Sequence, residues 1–528
     1  VAHELSVEGL FAHAAEAPAH VALIDAATGS TRTYDELVDR ARRLAAAFEG
    51  LGLSRPSASG ERAVAVMMPN SLPFLEVAAA SCCAEAQLLP VNWHLKRDEL
   101  AWILADSGAA VLVAHPDLRD EVEGALADAP GTTVLWCGDE YEAAIAAAPA
   151  VPDSTARAGW SSPGFLFYTS GTTGRPKGVV HAGLDPQRMH LSQSGLAAMW
   201  GFRADDVHLL AGPAYHAGPL GYALTTLFAG GAVAVLPEWD PRSALGAIAA
   251  NRVTTTFLTP AHFVRLLEVP DDERQAFDLS SLRLVIHAGA PCPRPVKERI
   301  LDALPATEVW ELYGASEGGA TRVSPDEWRA RPGTVGLPWP GVEIRILDRS
   351  DGSELPAGED GVIYIRPPGG VATFHYHRDE AKTAGAWRDG AFTVGDVGHL
   401  DDDGYLFITD RVSDMVLRDG VNIYPREIED VLFEHTGVVD CAVLGVPDPR
   451  RGEALLAVVE VRAGVDTDSL ASHVRARLAD FKVPERWELV TELPRDPNGK
   501  VLKRRLRERH AAAALPSDYS SAQAGWDL

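Results

Sequence analysis

Apolar residues up to about residue 330 fall in short runs separated by stretches with helical spacing. Runs at 21–24, 62–68, 87–91 and 110–113 alternate with helical segments at 34–51 and 99–106. Continuous apolar runs of this length, bounded by turn residues, read as strands buried on both faces. The alternation resumes with a helix at 186–199, strands at 207–210, 254–258, 282–286 and 309–312, and a helix at 261–268. Strand and helix in turn predict an α/β fold with a largely parallel sheet. From about residue 334 the pattern shortens to strands at 342–347, 361–365, 392–394 and 405–408, which predicts a β-rich subdomain. Strands at 438–446 and 454–461, a helix at 467–479 and a basic tail at 500–509 predict a small α+β domain. The expected division is an N-terminal domain over 1–411 and a C-terminal domain over 412–528.

Several predicted strands run into loops of small residues. The apolar run 165–167 leads into Tyr168-Thr169-Ser170-Gly171-Thr172-Thr173-Gly174-Arg175-Pro176-Lys177-Gly178. Glycines let backbone N–H groups approach an anion, hydroxyls donate hydrogen bonds, and Arg175 and Lys177 offset phosphate charge. A strand followed by such a loop suits a polyphosphate; the alternative is a solvated turn. The spacing is not that of the G-x-x-x-x-G-K-[ST] loop. Two further strands lead into His287-Ala288-Gly289-Ala290-Pro291 and Tyr313-Gly314-Ala315-Ser316-Glu317. In open α/β sheets ligands bind beyond the carboxyl ends of strands, and these stretches fall there.

The chain of 528 residues is too long for one core, and 46% apolar with 23% charged residues describes a soluble globular protein. A net charge of −26 argues against a nucleic-acid surface, which needs clustered Lys and Arg. Cys82, Cys83, Cys137, Cys292 and Cys441 are few, odd in number and without a C-x-x-C spacing, so neither a disulfide framework nor a zinc site is expected and a reducing cytoplasm fits. The first residues show no basic and apolar leader pattern. The uncharged run 217–237 contains Pro219 and several glycines, and reads as a buried helix, a Gly-Gly turn and a strand rather than a membrane span.

With these pieces placed, the chain resembles the adenylate-forming superfamily of acyl-CoA synthetases, adenylation domains and luciferases. The carriers of the resemblance are the loop 168–178, Tyr215-His216, Tyr313 to Glu317, Gly395-Asp396, Asp410-Arg411, the run Gly420-Val-Asn-Ile-Tyr-Pro425 and Pro497-Asn-Gly-Lys500. The strings beginning at His287 and Gly420 look most like bile-acid, steroid-type and related acyl-CoA ligases. The resemblance implies attack of a carboxylate on the α-phosphate of ATP, giving an acyl adenylate and pyrophosphate, followed by displacement of AMP by the thiol of CoA. It implies that Thr169, Ser170, Gly171, Thr172, Thr173 and Lys177 hold the β,γ-phosphates and that Glu317 helps hold Mg²⁺. Gly289, Ala290, Tyr313, Gly314, Ser316, Asp396 and Arg411 would complete the ATP site, with Tyr313 on adenine and Asp396 on the ribose. Lys500 would bridge the attacking carboxylate and the α-phosphate, and His216 would stand at the mouth of an acyl pocket lined by Tyr215, Gly218, Tyr222, His287 and Ala315. On chemistry alone Tyr313 fits a core tyrosine equally well, and the plainer readings of Glu317, His216 and Lys500 are a surface glutamate, a structural histidine and a solvated lysine.

In that superfamily the small domain is mobile and pivots at the position of Ser413, where Asp or Lys is usual. Val394 stands where Thr commonly precedes Gly-Asp, and Ser316 where Thr is commonest. Arg418-Asp419-Gly420 replaces a run of small residues that, in the superfamily's thioester-forming state, lines the CoA tunnel, so bulk and negative charge are expected to crowd the incoming thiol in that state. The alternative function is an adenylating enzyme that does not use CoA, transferring to a carrier protein or an amine, or activating an oxyanion such as nitrite as diazotases do. A non-catalytic nucleotide-binding relic is a third reading, opposed by retention of Lys177, Glu317, Asp396, Arg411 and Lys500. The expected partners are a small-molecule acid or oxyanion and, as a base-rate expectation, a second copy in a homodimer.

Overall fold

The computed structural model describes residues 9–53, 62–149, 164–169, 176–181, 186–419, 421–448, 450–496 and 499–514. Among them, the strands form sheets of fifteen, seven and five strands. The fold is mixed α/β, as the alternation predicted.

The first sheet begins parallel. Val21–Asp25, Ala232–Val235, Val207–Leu210, Thr255–Leu258, Leu284–His287 and Glu308–Ala315 lie side by side in that order. Every residue of Thr255–Leu258 and Leu284–His287 is buried, which is why these strands read as unbroken apolar runs. The second sheet repeats the plan: Thr133–Trp136, Val111–Ala114, Ala63–Met67, Gln87–Pro90 and Gly164–Thr169 are parallel neighbours.

Both sheets change character at the same place in their build. Glu308–Ala315 is followed by Gly318–Val323, which folds back antiparallel, and the sheet continues through Thr334–Pro338, Leu406–Arg411 and Asp396–Leu400. Gly164–Thr169 is likewise followed by the antiparallel strand Lys177–His181, which then pairs with Phe374–Tyr376. The expectation of a loop from Tyr313 onward is therefore corrected. Tyr313, Gly314 and Ala315 remain in the strand, and Ser316-Glu317 forms the turn of a hairpin. A continuous parallel sheet was the simpler reading because antiparallel pairing leaves no mark in apolar runs buried on both faces.

Leu406–Arg411 closes the first sheet, and the next strand, Val416–Arg418, opens the third. In that five-stranded sheet, Val438–Asp448 presents Cys441 and Val443 to one face and Ala442, Leu444 and Val446 to the other. Helices Pro425–Phe433 and Thr467–Arg475 cover the first face through Ile428, Leu432, Leu470 and Val474. Leu506, on the helix Lys503–Ala514, covers the second. The basic tail is thus helical from Lys503, with its apolar position docked on the sheet. Residues 217–237 form the helix Ala217–Phe228, a turn and the strand Ala232–Val235. Among the described residues no helix is long and apolar enough to cross a membrane.

Candidate active site

A cleft of about 2200 Å³ opens where the three sheets meet. Thr169 and Lys177 line it from the second sheet, and Gly289 and the run Gly314 to Glu317 from the first. Tyr215, His216, Arg411 and Lys500 complete it. The positions quoted from distant parts of the chain are therefore brought together, with Lys500 supplied by the C-terminal domain.

At one end stands the hairpin that carries the hydroxyl and glycine loop. Thr169 and Lys177 are direct cross-strand partners, so both stems of the loop are fixed in register. Ser170, Gly171, Thr172 and Thr173 lie outside the described residues. The stem is tied down by Tyr168, whose hydroxyl donates to Asp106 Oδ2 at 2.6 Å and whose ring meets Trp102 edge-on. Burial raises the Tyr168 phenol well above its ordinary value, so it stays a neutral donor. The neighbouring strand brings Tyr376, whose hydroxyl donates to Glu317 Oε1 at 2.9 Å. That bond fixes the carboxylate of the 316–317 turn toward the cleft. Among the described residues no three His, Cys, Asp or Glu side chains cluster to hold a metal. A lone carboxylate suits Mg²⁺, which takes one or two carboxylates and completes its octahedron with phosphate oxygens and water.

Asp396 and Arg411 are cross-strand partners, and Arg411 Nε donates to Asp396 Oδ1 at 3.0 Å. The other carboxylate oxygen accepts the Tyr313 hydroxyl at 2.8 Å. Burial and the neighbouring carboxylate raise the Tyr313 phenol well above its usual range. Asp396 is thus an oriented acceptor held from two sides. Tyr313, Asp396 and Ala290 are not among the side chains that line the cleft. Tyr313 and Asp396 are buried, and Tyr313 belongs to the same apolar cluster as Val179 and Ala320.

The turn carrying Lys500 is built to project into the cleft. Arg495 is ion-paired to Asp440 and donates to the Gly499 carbonyl. The Lys500 N–H donates to Asp496 Oδ1, and the Asp496 N–H to the Lys500 carbonyl, each at 2.8 Å. Gly499 has φ +82°, and a Cβ there would lie 2.4 Å from the Cβ of Ala261. Two ion pairs flank this seat, Arg265 to Glu460 at 3.1 Å and Arg462 to Glu268 at 2.8 Å. Pro497 and Asn498 lie outside the described residues. Loss of solvent and the nearby Arg411 guanidinium lower the Lys500 ammonium to about 8, against the opposing pull of Asp496, Asp414 and Asp396. The same turn faces His216. Burial, with a smaller push from Lys500, lowers the His216 imidazole to about 4, so it is neutral at pH 7. Its Nε2 and the Tyr215 hydroxyl are buried without hydrogen-bond partners, two polar atoms left for a ligand.

Beyond His216 the cleft narrows between aromatic rings. Tyr222 and Phe257 stack with centroids 5.3 Å apart, and a Cβ on Gly218 would lie 2.6 Å from the Phe257 ring. Glycine at 218 is what lets that ring lie against the backbone. Leu196, Met199 and Trp339 add apolar wall. Ala315 also lines the cleft.

His287 is corrected: it does not line this pocket. Its ring is fully buried, bonded to Lys297 Nζ and edge-on to Phe263, with Glu311 3.7 Å from both His287 and Lys297. Burial and the Lys297 charge push it well below its ordinary value. Successive side chains alternate across a strand, so His287 takes the core face and Ala288, the next residue, lines the cleft.

Ser413 sits in the turn after Arg411, where the Asp414 N–H donates to the Arg411 carbonyl. Arg418 and Asp419 do not line the cleft either. Arg418 is 8% exposed, donates to the Phe481 carbonyl at 2.7 Å and pairs with Glu485. Asp419, at φ 52°, forms the corner of the hairpin that pairs Arg418 with Val421. Asp-Gly is the sequence signature of such a corner, although Gly420 itself lies outside the described residues. The Asp419 carboxylate is 3.9 Å from both Arg418 Nε and Arg451 Nε. The added bulk is folded into the C-terminal domain and the added charge is opposed. Arg451 and Glu485, which hold this hairpin, are remote in sequence and were not among the expected residues. Tyr376 and Asp106 were overlooked for the same reason: each acts through a partner more than fifty positions away.

Residues 10–375 match the AMP-binding enzyme family, and residues 427–500 the AMP-binding enzyme C-terminal domain. A feruloyl-CoA synthase of Amycolatopsis sp is 37% identical over 489 residues, covering 91% of this chain and 94% of that one. The fatty acid–[acyl-carrier-protein] ligase ScoC of Streptomyces coeruleorubidus is 34% identical over 494 residues, covering 91% and 92%. Among solved structures, ATP-bound MatB from Rhodopseudomonas palustris superposes with a TM-score of 0.82 at 33% identity, covering 96% of this chain and 99% of that one.

Proposed function

The chain belongs to the AMP-binding enzyme family, and from that premise we propose that it is an ATP-dependent, AMP-forming ligase that converts a carboxylic acid to its CoA thioester. In the first half-reaction a carboxylate oxygen bonds to the α-phosphorus of ATP and the bond to the β-phosphate oxygen breaks, releasing pyrophosphate. In the second, the thiol of CoA loses its proton, bonds to the acyl carbon, and AMP leaves with the electron pair. Joining two anions makes positioning and charge stabilisation the main burden of the first step.

The observation that carries this reading is the seating of Lys500, a cation partly stripped of water, opposite the Thr169–Lys177 hairpin and beside neutral His216. We assign Lys500 to the carboxylate and α-phosphate, and Lys177 with the hydroxyl loop to the β,γ-phosphates. Asp396 and Arg411 serve the ribose side. Mg²⁺, held by Glu317 with phosphate oxygens, would supply charge neutralisation there. Ser413 serves as the pivot about which the C-terminal domain withdraws Lys500 before the thiol arrives.

The acid we propose is an aromatic or cyclic monocarboxylic acid. Among the described residues, Tyr222, Phe257 and Trp339 give the cleft an aromatic wall, with Leu196 and Met199 beside them. Flat rings stack well in such a slot. The feruloyl-CoA synthase relative bears an aromatic name, which agrees. CoA is preferred to a CoA-free acceptor because the feruloyl-CoA synthase relative is 37% identical over 91% of this chain. The test is acid-dependent pyrophosphate release over a panel of aryl, arylpropenoic, straight-chain and dicarboxylic acids and nitrite, then addition of CoA. Release with aryl acids and a thioester on adding CoA is expected. Release without a thioester, or with nitrite alone, would overturn it.

A further inference from the structure

Lys382 carries an ammonium group that the fold leaves incomplete. It lies in the first turn of the helix Glu380–Ala386, and its side chain lines the cleft. Less than 1 Å² of Nζ reaches solvent, and Nζ has no hydrogen-bond partner. Among the described residues it lies over the face of Tyr376, 4.4 Å from the ring centroid. An ammonium has three donors, and burying it with none used costs more than a single ring contact returns. An anion entering the cleft can take these donors, which the neighbouring Asp379, an acceptor for the Lys382 backbone N–H at 2.9 Å, does not.

The surroundings specify which anion. Tyr376 lies on Phe374–Tyr376, the strand paired to Lys177–His181, and is the cross-strand partner of Val179, two residues beyond Lys177. Its hydroxyl is already committed to Glu317. Lys382 therefore stands at the end of the cleft where the hairpin stems and the 316–317 turn meet. Glu317 Oε1 accepts the Tyr376 hydroxyl, and no hydrogen bond joins Glu317 to the ammonium. We propose that Lys382 is a binding cation for inorganic diphosphate, holding the β,γ-phosphates of ATP and the pyrophosphate they become. The proposal rests on the ligase reading for its biological ligand, but the site can be probed without turnover.

The experiment titrates the full-length protein with magnesium diphosphate by calorimetry, for the parent and for Lys382→Met, Lys382→Gln and Lys382→Arg, with thermal melts to confirm folding. Methionine keeps an apolar stem over the Tyr376 ring and removes the charge. Both neutral variants are expected to bind diphosphate at least about tenfold more weakly, and arginine to restore most of the affinity, as for loss and return of a charge-assisted hydrogen bond. In steady state, product inhibition by diphosphate should weaken to match, while the KM for the acid stays unchanged. The Mg²⁺ dependence of the rate should also stay unchanged, whereas Tyr376→Phe, which frees Glu317, should shift it. Equal diphosphate affinity in parent and neutral variants, or no binding by the parent, would overturn the proposal. So would a Lys382→Met enzyme that only reproduces the Tyr376→Phe shift, since Lys382 would then act through the ring alone. Lys382-dependent diphosphate binding in a protein that activates no acid would leave this site standing and sink the ligase reading instead.

Discussion

The C-terminal domain exposes two charged turns with opposite fates. The turn Arg495 to Lys500 is folded so that its backbone is satisfied internally while one ammonium is pushed into the cleft and stripped of water. The hairpin Arg418 to Val421 does the reverse: its guanidinium is buried in its own domain and its carboxylate lies between two arginines. The two differ in where the charge is delivered: Lys500 lines the cleft, whereas the Arg418 guanidinium is turned into its own domain, bonded to the Phe481 carbonyl and paired with Glu485. On this criterion the first turn belongs to chemistry, and the second, though chemically the stranger of the two, belongs to structure.

Substitutions can break that contrast. Lys500→Ala removes the seated charge and is expected to lower acid-dependent pyrophosphate release by about a hundredfold or more, the usual cost of one transition-state charge partner. Gly499→Ala keeps the charge but spoils the seat. The new Cβ would strike Ala261 and the backbone is at φ +82°, so a loss of about ten- to hundredfold in pyrophosphate release is expected at unchanged folding stability, with partial recovery on adding Ala261→Gly. The lowered Lys500 value gives a pH signature. Adenylation needs the cation, the cation is lost as pH rises through about 8, and kcat/KM for ATP should therefore fall about tenfold per pH unit above that point. Lys500→Arg should move the fall to higher pH.

On the other turn the effects should be smaller and of another kind. Arg418→Ser is expected to destabilise the domain by about 1–3 kcal/mol through the lost bond to the Phe481 carbonyl and the lost pairing with Glu485, read as a lower melting temperature, with adenylation within about twofold of the parent. Asp419→Gly removes a charge that Arg418 and Arg451 already oppose and suits the left-handed corner, so both half-reactions should stay within about twofold. A large rise in thioester formation with Asp419→Gly would return that residue to the tunnel and erase the contrast.

Much of this was legible in the chain. The parallel strands were legible because burial on both faces writes continuous apolar runs, as in 255–258 and 284–287. The cleft residues that line it as a string, such as Gly314 to Glu317, were legible because one local segment carries them. What was not legible lives in pairs. The hold of Tyr376 on Glu317, of Tyr168 on Asp106, and of Glu485 and Arg451 on the 418–419 hairpin each joins residues that only the fold brings together. His287 was misplaced by a single residue of strand alternation, which decides whether a side chain faces the cleft or the core.

The central claim is that the seated lysine serves the first half-reaction and not the second, and it is tested most directly by running the two separately on Lys500→Ala. Pyrophosphate release from ATP and acid should collapse, while thioester formation from supplied acyl adenylate and CoA should stay within about threefold of the parent, since no transition-state charge partner of that step is removed. Equal loss in both half-reactions would contradict the account and make Lys500 a structural element of the docked domain.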